Sequence, residues 1–220
     1  GCNEYLCITY PEAVKKVHYD YLNAGADVIE TNSFGATRLV LKEYNLEHLA
    51  YDLNKKAAQI ARELADEFSA KSWKRFVAGS IGPGTKLPTL DHISYDELVD
   101  NYSEQISGLI DGGVDILCIE TCQDILQIKA ALFSAQKVFQ EKGVQLPVIV
   151  SITIEQMGTM LVGTEIEAAL NTIEAFDFVT AFGMNCAVGP KEMSSNIKVL
   201  ANHSSKKIFV MPNAGIPENV

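Results

Sequence analysis

Six short runs of apolar and small residues punctuate the chain: Asp27 to Thr31 (DVIET), Phe76 to Ser80 (FVAGS), Val114 to Glu120 (VDILCIE), Val148 to Thr153 (VIVSIT), Phe178 to Met184 (FVTAFGM) and Ile208 to Met211 (IFVM). They lack the polar alternation of a half-exposed strand, so they predict parallel strands covered on both faces. Successive runs lie roughly 30 to 50 residues apart, and the stretches between them repeat their apolar positions at helical spacing. This is the rhythm of βαβ units.

The helical stretches carry their own signals. Pro11 stands at a first helical position, where its missing N–H costs nothing, and Val14, Val17, Tyr21 and Leu22 are expected on the buried face. Ala57, Ile60, Ala61, Leu64, Ala65 and Phe68 form the apolar stripe of a second helix. Ser94-x-x-Glu97 and Thr164-x-x-Glu167 read as capping boxes, in which hydroxyl and carboxylate each satisfy an orphan backbone N–H. Pro190 starts a helix carrying Met193, Ile197 and Leu200. The loops after the strands are longer and more polar than those before them, Gly79 to His92 most of all. No linker, repeat or low-complexity tract interrupts residues 1–220, which read as one domain.

Six alternating units fit a doubly wound sheet or part of an eight-stranded barrel. A dinucleotide-binding sheet would show a Gly-rich fingerprint after its first strand, and nothing of that form follows Asp27 to Thr31. A complete barrel takes about 250 residues and eight units. The expected fold is therefore α/β, a (β/α)8 TIM-type barrel that is incomplete in these 220 residues.

Composition narrows the class further. With 47% apolar residues, 21% charged and 7 prolines, the chain is neither disordered nor low-complexity. No apolar run approaches the roughly 20 residues of a membrane span. A formal charge of −10 disfavours nucleic acid or an anionic membrane surface as partner. Five cysteines, an odd number in a chain with no secretory leader pattern, predict a reducing, cytoplasmic setting. The thiols are then core fillers or metal ligands. Because the chain begins at Gly1, a trimmed or partial sequence is expected.

In a parallel barrel the chemistry sits at the carboxyl ends of the strands. Those ends read Glu30-Thr31-Asn32, Ser80-Ile81-Gly82-Pro83, Glu120-Thr121-Cys122, Thr153-Ile154-Glu155, Asn185-Cys186 and Pro212-Asn213. They hold carboxylates, amides, hydroxyls and thiols but no lysine, which excludes Schiff-base chemistry from a strand. Gly79-x-x-Gly82-x-Gly84 fits a tight turn as well as a phosphate cradle. Alternation puts Ile116, Cys118 and Glu120 on one side, with Glu120 at the solvated mouth either as a rim carboxylate or as counter-ion to a cationic substrate group. Cys118, one layer deeper, reads as a core residue, and Cys122, just past the strand, as able to reach the mouth. Cys186 follows a strand and precedes the helix start at Gly189-Pro190. Beside a positive helix end it suits a metal ligand or a nucleophile as well as an inert thiol. His18, His48, His92 and His203 fall in helices or loops away from these ends, so a His-Cys pair has little support.

Five segments in order carry a resemblance: GADVIETNSFGA at 25–36, GSIGPGTKLPTL at 79–90, GVDILCIETCQDILQIKAAL at 113–132, GMNCAVGP at 183–190 and PNAG at 212–215. Together they resemble the homocysteine S-methyltransferase family over essentially the whole chain, and in the 82–90 loop its cobalamin-dependent branch. The resemblance implies a barrel spanning the second to seventh strands. A first strand ending in Asp-Gly-Ala/Gly is then expected before Gly1, and a last strand bearing Gly-Gly-Cys-Cys beyond Val220. It implies a zinc ion held by three cysteines, of which only Cys186 is present, Cys118 and Cys122 matching no ligand position. It also implies Glu120 against the ammonium of homocysteine, with Thr121, Asn32 and Asn185 lining the same mouth. For Asn32 and Asn185, hydrogen bonding to neighbouring loops is an equal alternative.

The implied reaction is methyl transfer to a zinc-bound homocysteine thiolate, giving methionine. Methylcobalamin is the expected donor, served by folate- and cobalamin-binding modules of the same polypeptide; betaine and S-methylmethionine are the alternatives. With two zinc ligands missing, residues 1–220 alone are expected to be inactive. The residues also accommodate two other readings: a barrel lyase that binds phosphate at Gly79–Gly84, and a non-catalytic binding fragment.

Overall fold

The computed structural model describes residues 1–214, so Gly215 of the P-N-A-G segment lies outside the described residues. Six strands form one sheet: β1 (Val28–Glu30), β2 (Phe76–Ile81), β3 (Ile116–Cys122), β4 (Val148–Ile152), β5 (Val179–Asn185) and β6 (Lys207–Met211). Every neighbouring pair is parallel, and the spatial order follows the chain order from β1 to β6. A doubly wound sheet would reverse direction partway, so this order is that of a barrel wall. Val28 of β1 and Phe209 and Met211 of β6 face one cavity, which shows that the sheet curls into part of a barrel.

The helices α1 (Leu6–Thr9), α2 (Pro11–Asn23), α3 (Arg38–Leu41), α4 (Ala50–Phe68), α5 (Tyr95–Gly112), α6 (Ile125–Lys142), α7 (Ile166–Glu174) and α8 (Pro190–His203) surround the sheet. Among the described residues none is long and apolar enough to cross a membrane. The outer face of the sheet gives Val77, Ile81, Leu117, Ile119, Val148, Val150, Ile152, Phe182 and Met184 to one continuous apolar core with the helices. Side chains of this size contribute about 1.5–3 kcal/mol each on full burial. Helices α4 and α5 pack so closely that a Cβ at Gly112 would overlap the Ala58 side chain. At the amino ends of the strands, Arg62 pairs with Asp115 at 2.7 Å, and Asp115 accepts a hydrogen bond from the Val77 amide at 2.8 Å. That end is closed by structural contacts, which leaves the carboxyl ends free for a site.

Two local expectations change. Ser94 caps α5 by accepting from the Glu97 amide at 3.2 Å, but α7 begins only at Ile166, after Glu165, with no side-chain cap. On α2 the buried stripe is Val14, His18 and Leu22, while Val17 and Tyr21 are 54% and 66% exposed. The helix is rotated so that positions i, i+4 and i+8 meet the body of the protein, and Val17 and Tyr21 line the open cavity instead.

Candidate functional site

The site begins with a defect in the wall. The β3–β4 register runs from Ile119 opposite Val150 to Cys122 opposite Ile152, so Glu120 and Thr121 together oppose one residue of β4. Such a bulge bends the strand and re-aims its side chains. Thr121 takes a left-handed conformation, φ 59°, costly for a β-branched residue and common where a site is over-determined by its surroundings. The extra residue reverses the alternation beyond Glu120. Cys122 therefore does not reach the mouth: it is buried in the helix-side core that also holds Tyr102, and burial pushes its thiol pKa far up.

Glu120 stays on the inside, 8% exposed, and its Oε1 accepts a hydrogen bond from Ser80 Oγ on the adjacent strand at 2.6 Å. Burial, and then the neighbouring Glu30 carboxyl, raise its pKa to about 7 despite the Ser80 bond. Glu30, at the end of β1, is raised by burial as well. Cys118 is 1% exposed and lies one layer down, as alternation predicts, with its thiol pushed well up by burial and the two carboxyls. All of these side chains line a cavity of about 790 Å³, whose polar end is formed by Glu30, Asn32, Ser80 and Glu120 and whose floor is apolar, with Val28, Ala78, Ile116 and Ile149. The few convergent polar groups at its carboxyl end suit a small molecule.

Thr121 and Asn185, 64 residues apart, are locked together across the top of β4. Asn185 Oδ1 accepts from the Thr121 amide at 2.9 Å and from Ser151 Oγ at 2.7 Å, and its Nδ2 donates to Thr121 Oγ1 at 2.7 Å. The side chain is buried and largely consumed by these bonds, so it positions the bulge that presents Glu120. Replacing Asn185 with leucine orphans the Thr121 N–H and the Ser151 hydroxyl. The expected loss is about 1–3 kcal/mol for each stranded group, read as a lower urea midpoint. A variant as stable as the parent would show the clamp to be dispensable.

Cys186 follows directly at the end of β5. It is half-buried and left-handed at φ 63°, as is Ala187 at φ 57°. These two turns carry the chain from β5 to the start of α8, and the Cys186 amide donates to the Met211 carbonyl at 3.3 Å. Asn32 is half-buried and lines the cavity, but its Nδ2 donates to the Asn3 carbonyl at 2.9 Å.

A half-exposed thiol at the barrel mouth fits the role of one zinc ligand, and it belongs to no cluster of three possible ligands among the described residues. The one such cluster there is Glu30, Cys118 and Glu120, whose donor atoms lie within 4.8 Å of one another. It offers one thiol beside two carboxyls, not the three cysteines the resemblance implies around zinc.

Of two further contributors, Ser80 stands among the strand ends without an assigned role and His18 escapes a reading along the chain. Ser80 is the last residue of the FVAGS run, and inward parity with Ala78 was the available signal. His18 is buried and lines the cavity, its Nε2 without a hydrogen-bond partner and its pKa lowered by burial. It sits on a helix rather than at a strand end, and no pattern in the sequence marked it.

The family model for homocysteine S-methyltransferase matches residues 1–220. Methionine synthase of Mycobacterium tuberculosis is 45% identical over 217 residues, and that of Mycobacterium leprae is likewise 45% identical over 217 residues. Each alignment takes in 99% of this chain and 18% of the relative, so the chain spans about a fifth of these proteins. Among solved structures, the metallated form of the homocysteine methyltransferase MmuM from Escherichia coli superposes with a TM-score of 0.81 at 22% identity, over 96% of this chain and 75% of that one. The apo form of the same enzyme gives 0.75 at 22% identity, over 98% and 77%. At this identity the likeness is one of fold.

Proposed function

Because the chain belongs to the homocysteine S-methyltransferase family, we propose that it binds homocysteine in the inner cavity and holds the substrate sulfur at the mouth, where it accepts a methyl group to give methionine. The observation that carries this reading is Glu120: a carboxyl 8% exposed, lining a cavity that no lysine or arginine of the described residues enters. A buried carboxylate is costly until a cation meets it. The ammonium of an amino-acid substrate is such a cation.

Each residue then has a defined task. Glu120 takes the ammonium, steadied by Ser80. Asn185 holds Thr121 and with it the bulge, so that Glu120 is aimed before substrate arrives. Asn32 borders the entrance. Cys186 is one thiolate of a zinc site whose other ligands lie outside the described residues; zinc, when bound, lets the substrate thiol persist as thiolate at neutral pH. Residues 1–220 thus serve as the homocysteine-binding part of a cytoplasmic methionine synthase and turn over little alone. Methylcobalamin is the donor, brought by folate- and cobalamin-binding modules of the same polypeptide. The small share of the mycobacterial methionine synthases that this chain spans supports further modules.

The test is a transfer assay on the intact polypeptide with L-homocysteine and isotopically labelled donors. Label should pass from methylcobalamin to methionine. Transfer from betaine or S-methylmethionine alone would overturn the donor, and transfer from none of the three would overturn the function.

A further inference from the structure

The proposed function gives Glu120 a partner and leaves Glu30 without a role. Both carboxyls line the inner cavity, and an oxygen of each lies within 4.8 Å of the other and of Cys118 Sγ. Neither is ion-paired among the described residues. Glu120 is nine-tenths buried, yet only its Oε1 has a partner, Ser80. Its Oε2 accepts no hydrogen bond from the described residues, on a side chain that lines the cavity.

Among the described residues, the surroundings supply no charge to compensate. On β3, burial keeps the Cys118 and Cys122 thiols protonated. On α2, His18 and Tyr21 reach the same cavity, and burial favours the neutral form of His18. The neighbouring strands β2, β4 and β6 contribute Ala78 and Ser80, Ile149, and Phe209 and Met211 to its wall, none of them titratable. Two carboxyls within 4.8 Å of one another in such a setting cannot both ionise without a cation, so the pair titrates as a unit.

Resting on the proposed function, we infer that Glu30 and Glu120 together form the subsite for the substrate ammonium, and that the ammonium enters by displacing a proton the two carboxyls share in the empty cavity. The substrate nitrogen keeps its three protons, and the displaced proton passes to solvent. Binding is therefore proton-linked below neutrality and proton-neutral above it. The subsite selects amino acids with a free α-ammonium over their deaminated analogues, and Glu30 is half of that selection.

Isothermal titration of the intact polypeptide with L-methionine, in buffers of different ionisation heat, reads this directly. Methionine is the probe because its thioether has no proton to lose, and the protein is first dialysed against a chelator so that no metal-linked ionisation contributes. Wild type should release about one proton per methionine near pH 6 and almost none near pH 8.5. It should favour methionine over 4-(methylthio)butanoate by at least about tenfold. Glu30→Gln should lose most of both the release and the preference. Methionine binding without proton release in wild type overturns the inference whether or not the variant folds, as does a folded Glu30→Gln with unchanged release and preference. Wild type that binds neither methionine nor homocysteine overturns the proposed function, and this inference with it.

Discussion

Cys186→Ala, made in the intact polypeptide, is expected to abolish both bound zinc and methyl transfer. Cys186 is half-buried at the end of β5, next to the residue that clamps the Glu120 bulge. Alanine keeps the Cβ and so bears the same left-handed backbone at φ 63°, which means the substitution removes sulfur without adding strain. A catalytic zinc normally has three protein ligands and an open position, and even outer-shell partners of such ligands cost 10–100-fold in affinity or activity. Loss of a ligand should therefore exceed about a hundredfold in kcat/KM, with metal content falling from equimolar to near zero after dialysis against a weak chelator. Cys118→Ala and Cys122→Ala should keep the metal, since Cys118 is buried one layer below the mouth and Cys122 lies in the helix-side core. Zinc retained at full occupancy by Cys186→Ala would remove Cys186 from the site.

Glu120→Gln should pull binding and stability in opposite directions. Losing a charge-assisted bond to the substrate ammonium is worth about 1.5–3 kcal/mol, so the KM for homocysteine should rise roughly 10- to 150-fold while kcat changes little. Stability follows the proton balance. Burial raises the Glu120 pKa from an ordinary 4.5 to about 7, so between those values the folded state binds more protons than the unfolded one. Stability of the unliganded protein therefore falls as pH rises through this window and levels off above it. Glutamine cannot ionise, so the variant should lose less stability across the window, by an amount on the order of a few kcal/mol. Thermal unfolding at each pH checks this half of the prediction and a Michaelis curve the other. Unchanged KM would make Glu120 a rim carboxylate.

The legible part of this protein is the part governed by neighbours in the chain. Unbroken apolar runs marked all six strands to within a residue or two at either end, because a strand covered on both faces leaves no room for polar alternation. Pro11 and Pro190 marked helix starts, and Ser94 a cap, because these depend on a single turn of backbone. Strand ends followed at once, and with them Glu120, Thr121, Asn32, Asn185 and Cys186 as candidates. Two of the errors were local as well: the cap at Thr164 and the buried face of α2 each slipped by about one residue.

What the order of residues could not specify is how the strand ends meet. Strict alternation sends Glu120 and Cys122 to the same side; the bulge at Glu120–Thr121 separates them, and Asn185, 64 residues later, holds Thr121 from across β4. Glu30 and Glu120 belong to β1 and β3, and their carboxyl oxygens come within 4.8 Å because β2 between them curves. The candidates for chemistry were set by sequence, since residue type and strand periodicity are local properties. Their pairing, their burial and therefore their charge states were decided by the curvature and register of the wall, which the whole arc of strands determines at once.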